Sequence, residues 1–213
     1  MSERSGTRWL QLTYKVPSEP SQKRVWVWRR LQHLGAYPLQ HSVYVLPFTE
    51  EVEKHFRQLA SEIREMGGEA SLFLLVALDP ADEERMLQTL LEARYREYEQ
   101  VIDLAERFLT HASSLIETEC HSEVVQAELG SCLEKLHGLF RSARRHDLLG
   151  SLTATKRATA AELLAGCEQL FRLLVERDYA RARRLLTFYG RLSAESEEAS
   201  QQLADSSTVA GQL

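Results

Sequence analysis

The sequence predicts an α+β fold in which a small sheet domain of β-α-β-β-α-β order precedes an all-α helical domain. Two observations carry this prediction. Over the first 78 residues, segments with alternating apolar residues, typical of strands, take turns with segments of helical spacing. After Asp79-Pro80 the helical spacing continues nearly to the end of the chain. We therefore predict domains at residues 1–79 and 80–192, and a disordered tail over residues 193–213, which is rich in Ser, Ala, Glu and Gln.

The first domain shows four strand patterns and two helix patterns. They are a strand Trp9–Val16, a helix Lys23–Leu34, short strands Tyr37–Gln40 and Ser42–Leu46, a helix with the stripe Val52 to Met66, and a strand Ala70–Leu78. Ser21 and Thr49 are predicted N-caps, and Gly35 is predicted to end the first helix. In that helix Val27, Leu31 and Leu34 form the core stripe, which Trp28 widens. The order of elements is that of the ferredoxin-like fold.

The last predicted strand is apolar at every position from Leu72 to Leu78, which predicts that both of its faces are covered. The rest of the chain or a second copy would supply that cover. The helical domain is predicted to contain helices at about Asp82–Glu117, Glu123–Arg144 and Thr159–Glu176, with a short further helix over Tyr179–Tyr189.

Composition indicates a cytoplasmic globular protein. No apolar run approaches the roughly 20 residues that span a bilayer, and no apolar segment typical of a secretory signal follows Met1. The three cysteines, Cys120, Cys132 and Cys167, are widely spaced and predict no disulfide framework.

Residues 1–78 carry 10 Lys and Arg against 8 Asp and Glu, a net charge of +2, whereas residues 79–213 carry 16 against 23, a net charge of −7. Binding to nucleic acid would therefore require a local basic face.

One side of the first helix supplies such a face. Its candidate nucleic-acid-binding residues are Lys23, Arg24, Trp26, Arg29, Arg30 and His33. Cations with an aromatic side chain among them suit a phosphate backbone and a stacked base. The alternative is a solvated helix face whose Trp26 packs on the helical domain or on a subunit partner.

Other groups of residues carry weaker signals. Two further basic clusters, Arg141 with Arg144, Arg145 and His146, and Arg181 with Arg183 and Arg184, lie at helix ends, where the helix dipole alone favours cations. A metal or thiol sensor would use residue types such as Glu117, Glu119, Cys120 and His121, with Cys132, His137 and Cys167 on later helices. No paired ligand spacing occurs among them, so we predict no metal and no cofactor. Phosphate-loop and nucleophile motifs are also missing, so we predict no catalytic residues and no enzyme.

Several ordered blocks resemble the N-terminal domain of the chromate resistance protein ChrB family. The blocks are Trp9-Leu10-Gln11-Leu12, Pro17, Arg24-Val25-Trp26-Val27-Trp28-Arg29, Leu34-Gly35-Ala36, Ser42-Val43-Tyr44-Val45-Leu46-Pro47, Arg96-Glu97-Tyr98 and Arg145-His146-Asp147-Leu148-Leu149-Gly150. Together they cover about residues 8–180, and His146 stands where family members tend to have an arginine. The sheet domain is also similar in outline to the small CRISPR-associated ferredoxin-like nuclease fold, but Lys15-Val16-Pro17 occupies the place of the aspartate that ends the first strand of that nuclease.

The resemblance implies a chromate-resistance regulatory protein that binds DNA as a transcriptional regulator, with chromate as the implied effector. We expect a homo-oligomer without a membrane partner. The alternative function is a non-catalytic protein–protein interaction or oligomerisation module that binds no nucleic acid. A third is an unrecognised oxidoreductase or nuclease.

Overall fold

The computed structural model describes residues 6–17, 19, 21–118 and 122–189. The chain divides into two compact units: the first consists of Met1–Arg96 with Ser142–Ala154, and the second of Glu97–Arg141 with Thr155–Leu213. The predicted disordered tail, residues 193–213, lies outside the described residues. Within the described part of the chain, every helix is too short or too polar to cross a membrane.

The first unit is built on a four-stranded antiparallel sheet. Its strands are β1 (Trp9–Lys15), β2 (Tyr37–Gln40), β3 (Val43–Pro47) and β4 (Glu69–Leu75), in the spatial order β2-β3-β1-β4. β1 lies between β3 and β4 and pairs antiparallel with both. Together with the helices described below, this sheet confirms the predicted α+β class.

Alternation along β1 sends its side chains to two different cores. Leu10 and Leu12 are buried in a cluster with residues of both early helices. Trp9 points to the opposite face, where it is fully buried with Val45 of β3 and Leu90. Both faces of the central strand are therefore covered within the first unit.

The two helices on the sheet are α1 (Gln22–His33) and α2 (Glu50–Glu65). The Oγ1 of Thr49 accepts a hydrogen bond from the Val52 backbone N–H at 3.1 Å, which confirms the predicted N-cap of α2. Ser21 occupies the N-cap position of α1 but its side chain makes no capping hydrogen bond. The predicted N-cap position is confirmed, but the side chain does not cap the helix because Ser21 already has helical backbone angles, φ −57° and ψ −21°. Gly35 follows α1 with a φ of +67°, as predicted for the residue that ends this helix.

The prediction that both faces of β4 are covered holds only in part, because Leu72 packs on the cluster of Leu10 and Leu12 and Leu75 on the cluster of Trp9, whereas other residues of the strand are exposed. In the described residues β4 pairs with β1 alone and forms an edge of the sheet. Phe73 and Leu74, which point to opposite faces, are 51% and 54% exposed, and Val76 beyond the strand is 41% exposed. Central strands and unpaired edge strands can both have a continuous apolar sequence. The sequence pattern alone therefore could not show which of these β4 is.

The remaining helices are α3 (Pro80–Thr118), α4 (Glu123–His146), a short 3₁₀ helix (Gly150–Thr153) and α5 (Ala154–Val175), and residues 179–189 are also helical. In the second unit, Tyr98 and Phe140 pack with ring centroids 6.4 Å apart, and the buried Cys167 lies against the Ala105 carbonyl. The predicted helices are thus confirmed, and α5 begins five residues earlier than expected.

Candidate nucleic-acid interface and neighbouring cavity

The outer surface of α1 is unusually rich in exposed large apolar residues. Trp26 is 37% exposed, Trp28 50% and Val25 44%. Val27 and Leu31 are fully buried, as the core stripe predicted, but the placement of Trp28 in that stripe is wrong. The side chain of Trp28 stands one residue further around the helix than Val27, and that step of about 100° carries it out of the contact with α2 and the sheet. Two tryptophans therefore face solvent on one helix in the described structure.

Some of the six predicted binding residues have a side-chain partner within the described part of the protein, and others have none. Lys23 donates from Nζ to the Met66 carbonyl at the end of α2, at 2.7 Å. Arg30 forms an ion pair with Glu62 at 3.1 Å, and its guanidinium lies 5.4 Å from the ring centroid of Trp26. Arg24 and Arg29 are exposed and make no hydrogen bond or ion pair with any described residue. We name Arg24, Val25, Trp26, Trp28 and Arg29 the α1 surface.

His33, the last of the six, contacts the end of α4. The Arg145 guanidinium lies 2.9 Å from His33 Nε2, and His146 Nε2 lies 2.9 Å from the His33 carbonyl oxygen. Desolvation lowers the pKa of His33, and the charges of Arg145, His146, Arg30 and His55 lower it further. A neutral His33 has a ring nitrogen free to accept a hydrogen bond from Arg145. The structure thus joins the first helix to part of a basic cluster that lies more than a hundred residues away in the sequence.

A cavity of about 590 Å³ opens beside this contact, within the first unit. The basic residues of its lining include Arg30, His33, His55, Arg144 and Arg145. Its apolar lining includes Leu34, Phe56 and Leu148. Sequence reasoning singled out Arg30, His33, Arg144 and Arg145 but missed His55, whose position between the core residues Val52 and Phe56 of α2 was the available signal.

The other basic residues lie elsewhere. Arg141 belongs to the second unit, as do Arg181, Arg183 and Arg184. There Arg181 pairs with Asp178 at 3.4 Å, and Arg183 donates to the Ile116 carbonyl at 3.3 Å. These contacts are local to the second unit and fit the structural role of cations near helix ends.

The cysteines have the character of core residues where they are described. Cys167 is fully buried, and desolvation raises the pKa of its thiol to about 12. Cys132 is partly buried, with a pKa that desolvation also raises. Cys120, Glu119 and His121 lie outside the described residues. Among the residues that the structure covers, no group of three or more His, Cys, Asp or Glu side chains could hold a metal ion.

A family model described as "Protein ChrB, N-terminal" matches residues 24–185, which is most of the chain and contains the α1 surface and the cavity. Neither the curated proteins nor the solved structures yielded a match. The predicted resemblance is confirmed over these residues, although the block that begins at Trp9 precedes the match. The chain belongs to the ChrB N-terminal family, which associates it with chromate resistance.

Proposed function

We propose that this protein is a regulatory protein of chromate resistance that binds DNA through the α1 surface. One observation carries the proposal: Arg24 and Arg29 are exposed without a partner among the described residues, on the same helix as two exposed tryptophans. Family membership supports the link to chromate resistance. A transcriptional role in the cytoplasm, with chromate as effector and without catalysis, completes the proposal.

The physical basis is the pairing of unneutralised cations with aromatic surface. A guanidinium that has no carboxylate partner can bind a phosphate without first breaking an ion pair. Aromatic rings beside it can stack on an unpaired base or lie against the sugar. Arg30 contributes indirectly, because its guanidinium packs on the Trp26 ring and its bond to Glu62 holds it there. Arg24 and Arg29 are therefore the expected phosphate contacts, and Arg30 is the expected support for Trp26.

A fluorescence titration with the DNA upstream of the protein's own gene, repeated at several salt concentrations, tests the proposal. The double variant Arg24→Gln, Arg29→Gln should bind more weakly, with a salt slope reduced by about two, because each lost phosphate contact removes about 0.9. The matched control is Arg57→Gln, Arg85→Gln, which removes the same charge from exposed side chains of α2 and α3. Equal slopes for the two double variants, or no binding by the wild type at low salt, would exclude the α1 surface as a DNA interface.

The edge strand β4 favours a second candidate function, a protein-interaction or oligomerisation module. Among the described residues β4 pairs with β1 alone, and Phe73 and Leu74 on the strand and Val76 beyond it are exposed, so its other edge is of the kind that pairs with another strand. We propose that a second copy of this chain pairs there and gives a homo-oligomer. In light scattering over a range of concentrations, Phe73→Lys should shift the protein towards monomer, whereas Val124→Lys, at another exposed apolar position, should not. A wild type that is monomeric at every concentration would refute this pairing.

We also propose that the sheet and its two helices form a ferredoxin-like fold. The strand order β4-β1-β3-β2 supports this assignment, and so does the packing of Val27, Leu31, Phe56 and Ile63 from both helices on the β1 residues Leu10 and Leu12.

A further inference from the structure

The cavity beside His33 has features that DNA binding at the α1 surface does not use. Its volume of about 590 Å³ lies within the range of about 300–1,000 Å³ that small-molecule sites occupy. Residues from α1, β3, α2 and the end of α4 line it, and all of them belong to the first unit. The charge and apolar surface of this lining decide which chemical class of ligand the cavity fits.

Two of the three arginines at the cavity lack a carboxylate partner. Arg30 is paired with Glu62 at 3.1 Å. By contrast, Arg144 and Arg145 have no carboxylate oxygen of a described residue within 4 Å, and the described hydrogen bonds of the Arg145 side chain go to the ring of His33. Both arginines are exposed and line the cavity. Because both arginines line the same cavity, their guanidinium groups are available to the anionic group of one ligand.

The lining also holds three carboxylates, those of Glu51, Glu62 and Asp147, but none of them forms an ion pair with Arg144 or Arg145. Glu62 accepts from both Arg30 and Gln58, at 3.1 and 3.0 Å. Asp147 accepts from the Thr153 hydroxyl at 2.7 Å, which ties it to the 3₁₀ turn. Glu51 lies exposed in the first turn of α2, where the helix dipole stabilises a negative charge. Desolvation lowers the pKa of His33, and the nearby guanidinium groups of Arg145 and Arg30 lower it further, which is consistent with a positive potential at this point.

The apolar part of the lining narrows the ligand class further. Leu34 and Leu148 are half-buried and pack against the core, and Phe56 lies beneath them in the same cluster. A small inorganic oxyanion would occupy the guanidinium groups and leave this apolar surface in water. A ligand with an apolar body would cover it and gain from its burial.

We propose that the cavity binds a small organic anion, with its carboxylate, sulfonate or phosphate group at Arg144 and Arg145 and its apolar body over Leu34 and Leu148. The inference is independent of DNA binding, since it uses none of the residues of the α1 surface. Arg144 and Arg145 bind the anionic group, and Arg30 and Glu62 form one wall through their ion pair.

Calorimetric titration of the full chain with three probes, in the absence of DNA, tests the proposal. The probes are 1-naphthyl phosphate, which has both parts, inorganic phosphate, which has only the anion, and 1-naphthol, which has only the apolar body. The first should bind at least about tenfold more tightly than either of the others, because it alone uses both linings. Equal affinity for inorganic phosphate would overturn the organic-anion assignment, and equal affinity for 1-naphthol would overturn the role of the arginines.

Variants locate the binding. Arg144→Gln and Arg145→Gln should each weaken 1-naphthyl phosphate about tenfold, since each removes a charged hydrogen bond. Arg85→Gln, in which an exposed arginine of α3 loses the same charge, should bind like the wild type. Gln58→Glu places a negative charge at an exposed position of the lining without removing buried atoms, and it should weaken the probe even if an arginine variant proves unstable. Unchanged affinity in Gln58→Glu and in the folded arginine variants would refute the site.

Discussion

Replacement of Gly35 by alanine should destabilise the first unit by more than the backbone conformation alone explains. Gly35 has a φ of +67°, a region that costs an alanine roughly 1–2 kcal/mol. A Cβ built at this position would lie 2.5 Å from Arg94 Nη1 and 2.9 Å from the His146 Cβ. Arg94 is only 6% exposed and donates to the His146 carbonyl at 3.3 Å, so neither neighbour can give way freely.

Gly67 provides a matched control. It has a φ of +80°, but a Cβ there would meet no atom within 4 Å. Gly67→Ala should therefore cost about 1–2 kcal/mol, the backbone term alone. Gly35→Ala should cost about 1–3 kcal/mol more, since it displaces the buried Arg94 guanidinium from the His146 carbonyl, which then keeps the hydrogen bond from the Leu148 backbone N–H but loses the charged donor. The difference between the two variants isolates the contact among Gly35, Arg94 and His146.

Urea unfolding of both variants, followed by circular dichroism at 25 °C, measures the two free energies of unfolding. The reasoning requires a larger loss for Gly35→Ala with an unchanged dependence on urea. If Gly35→Ala loses no more than Gly67→Ala, then Arg94 and His146 do not press on this glycine. In that case the junction between the end of α1 and the end of α4 is not held as described.

Two further predictions follow from pKa shifts. Because burial raises the pKa of the Cys167 thiol to about 12, this cysteine should not react with a thiol reagent at pH 8 until the protein unfolds. Rapid labelling of the folded protein at Cys167, identified by mass spectrometry, would contradict its core position. The variant Cys167→Ala should lower the free energy of unfolding by at most about 3 kcal/mol. Because His33 has a lowered pKa, the folded protein binds a proton there less readily than the unfolded chain, so stability should be complete above the usual value of 6.5 and fall as the pH drops through the folded pKa. Melting temperatures measured across that range should show a smaller fall for His33→Gln, and parallel curves for the two proteins would refute the role of His33.

The elements of the first unit could be predicted because their signals are local. Alternation at Leu10 and Leu12, the Thr49 cap and the glycine after α1 each depend on residues a few positions apart, and all three hold in the structure. The predicted burial of Trp28 and the predicted cover of Phe73 and Leu74 in β4 are wrong for one shared reason. Apolar character marks a residue as suitable for burial, but whether a partner element lies against it is decided by tertiary packing. Exposure of Trp28, Phe73 and Leu74 therefore carries information that the sequence pattern did not contain.

The cavity shows the limit of local reasoning most clearly. Arg145 and His33 are 112 positions apart, yet their side chains meet at 2.9 Å. Taken singly, each basic cluster has a sufficient structural explanation in the charge that a helix C-terminus attracts. Where the ends of α1 and α4 meet, Arg30 and Arg145 both lower the pKa of His33, and both line the same cavity. The glycine that ends α1 permits that meeting, since any side chain at Gly35 would collide with Arg94 and His146. Gly35 was predicted from the sequence as the end of α1, and it is also the residue that allows the ends of α1 and α4 to meet beside the cavity. The cavity itself could not be predicted from the sequence.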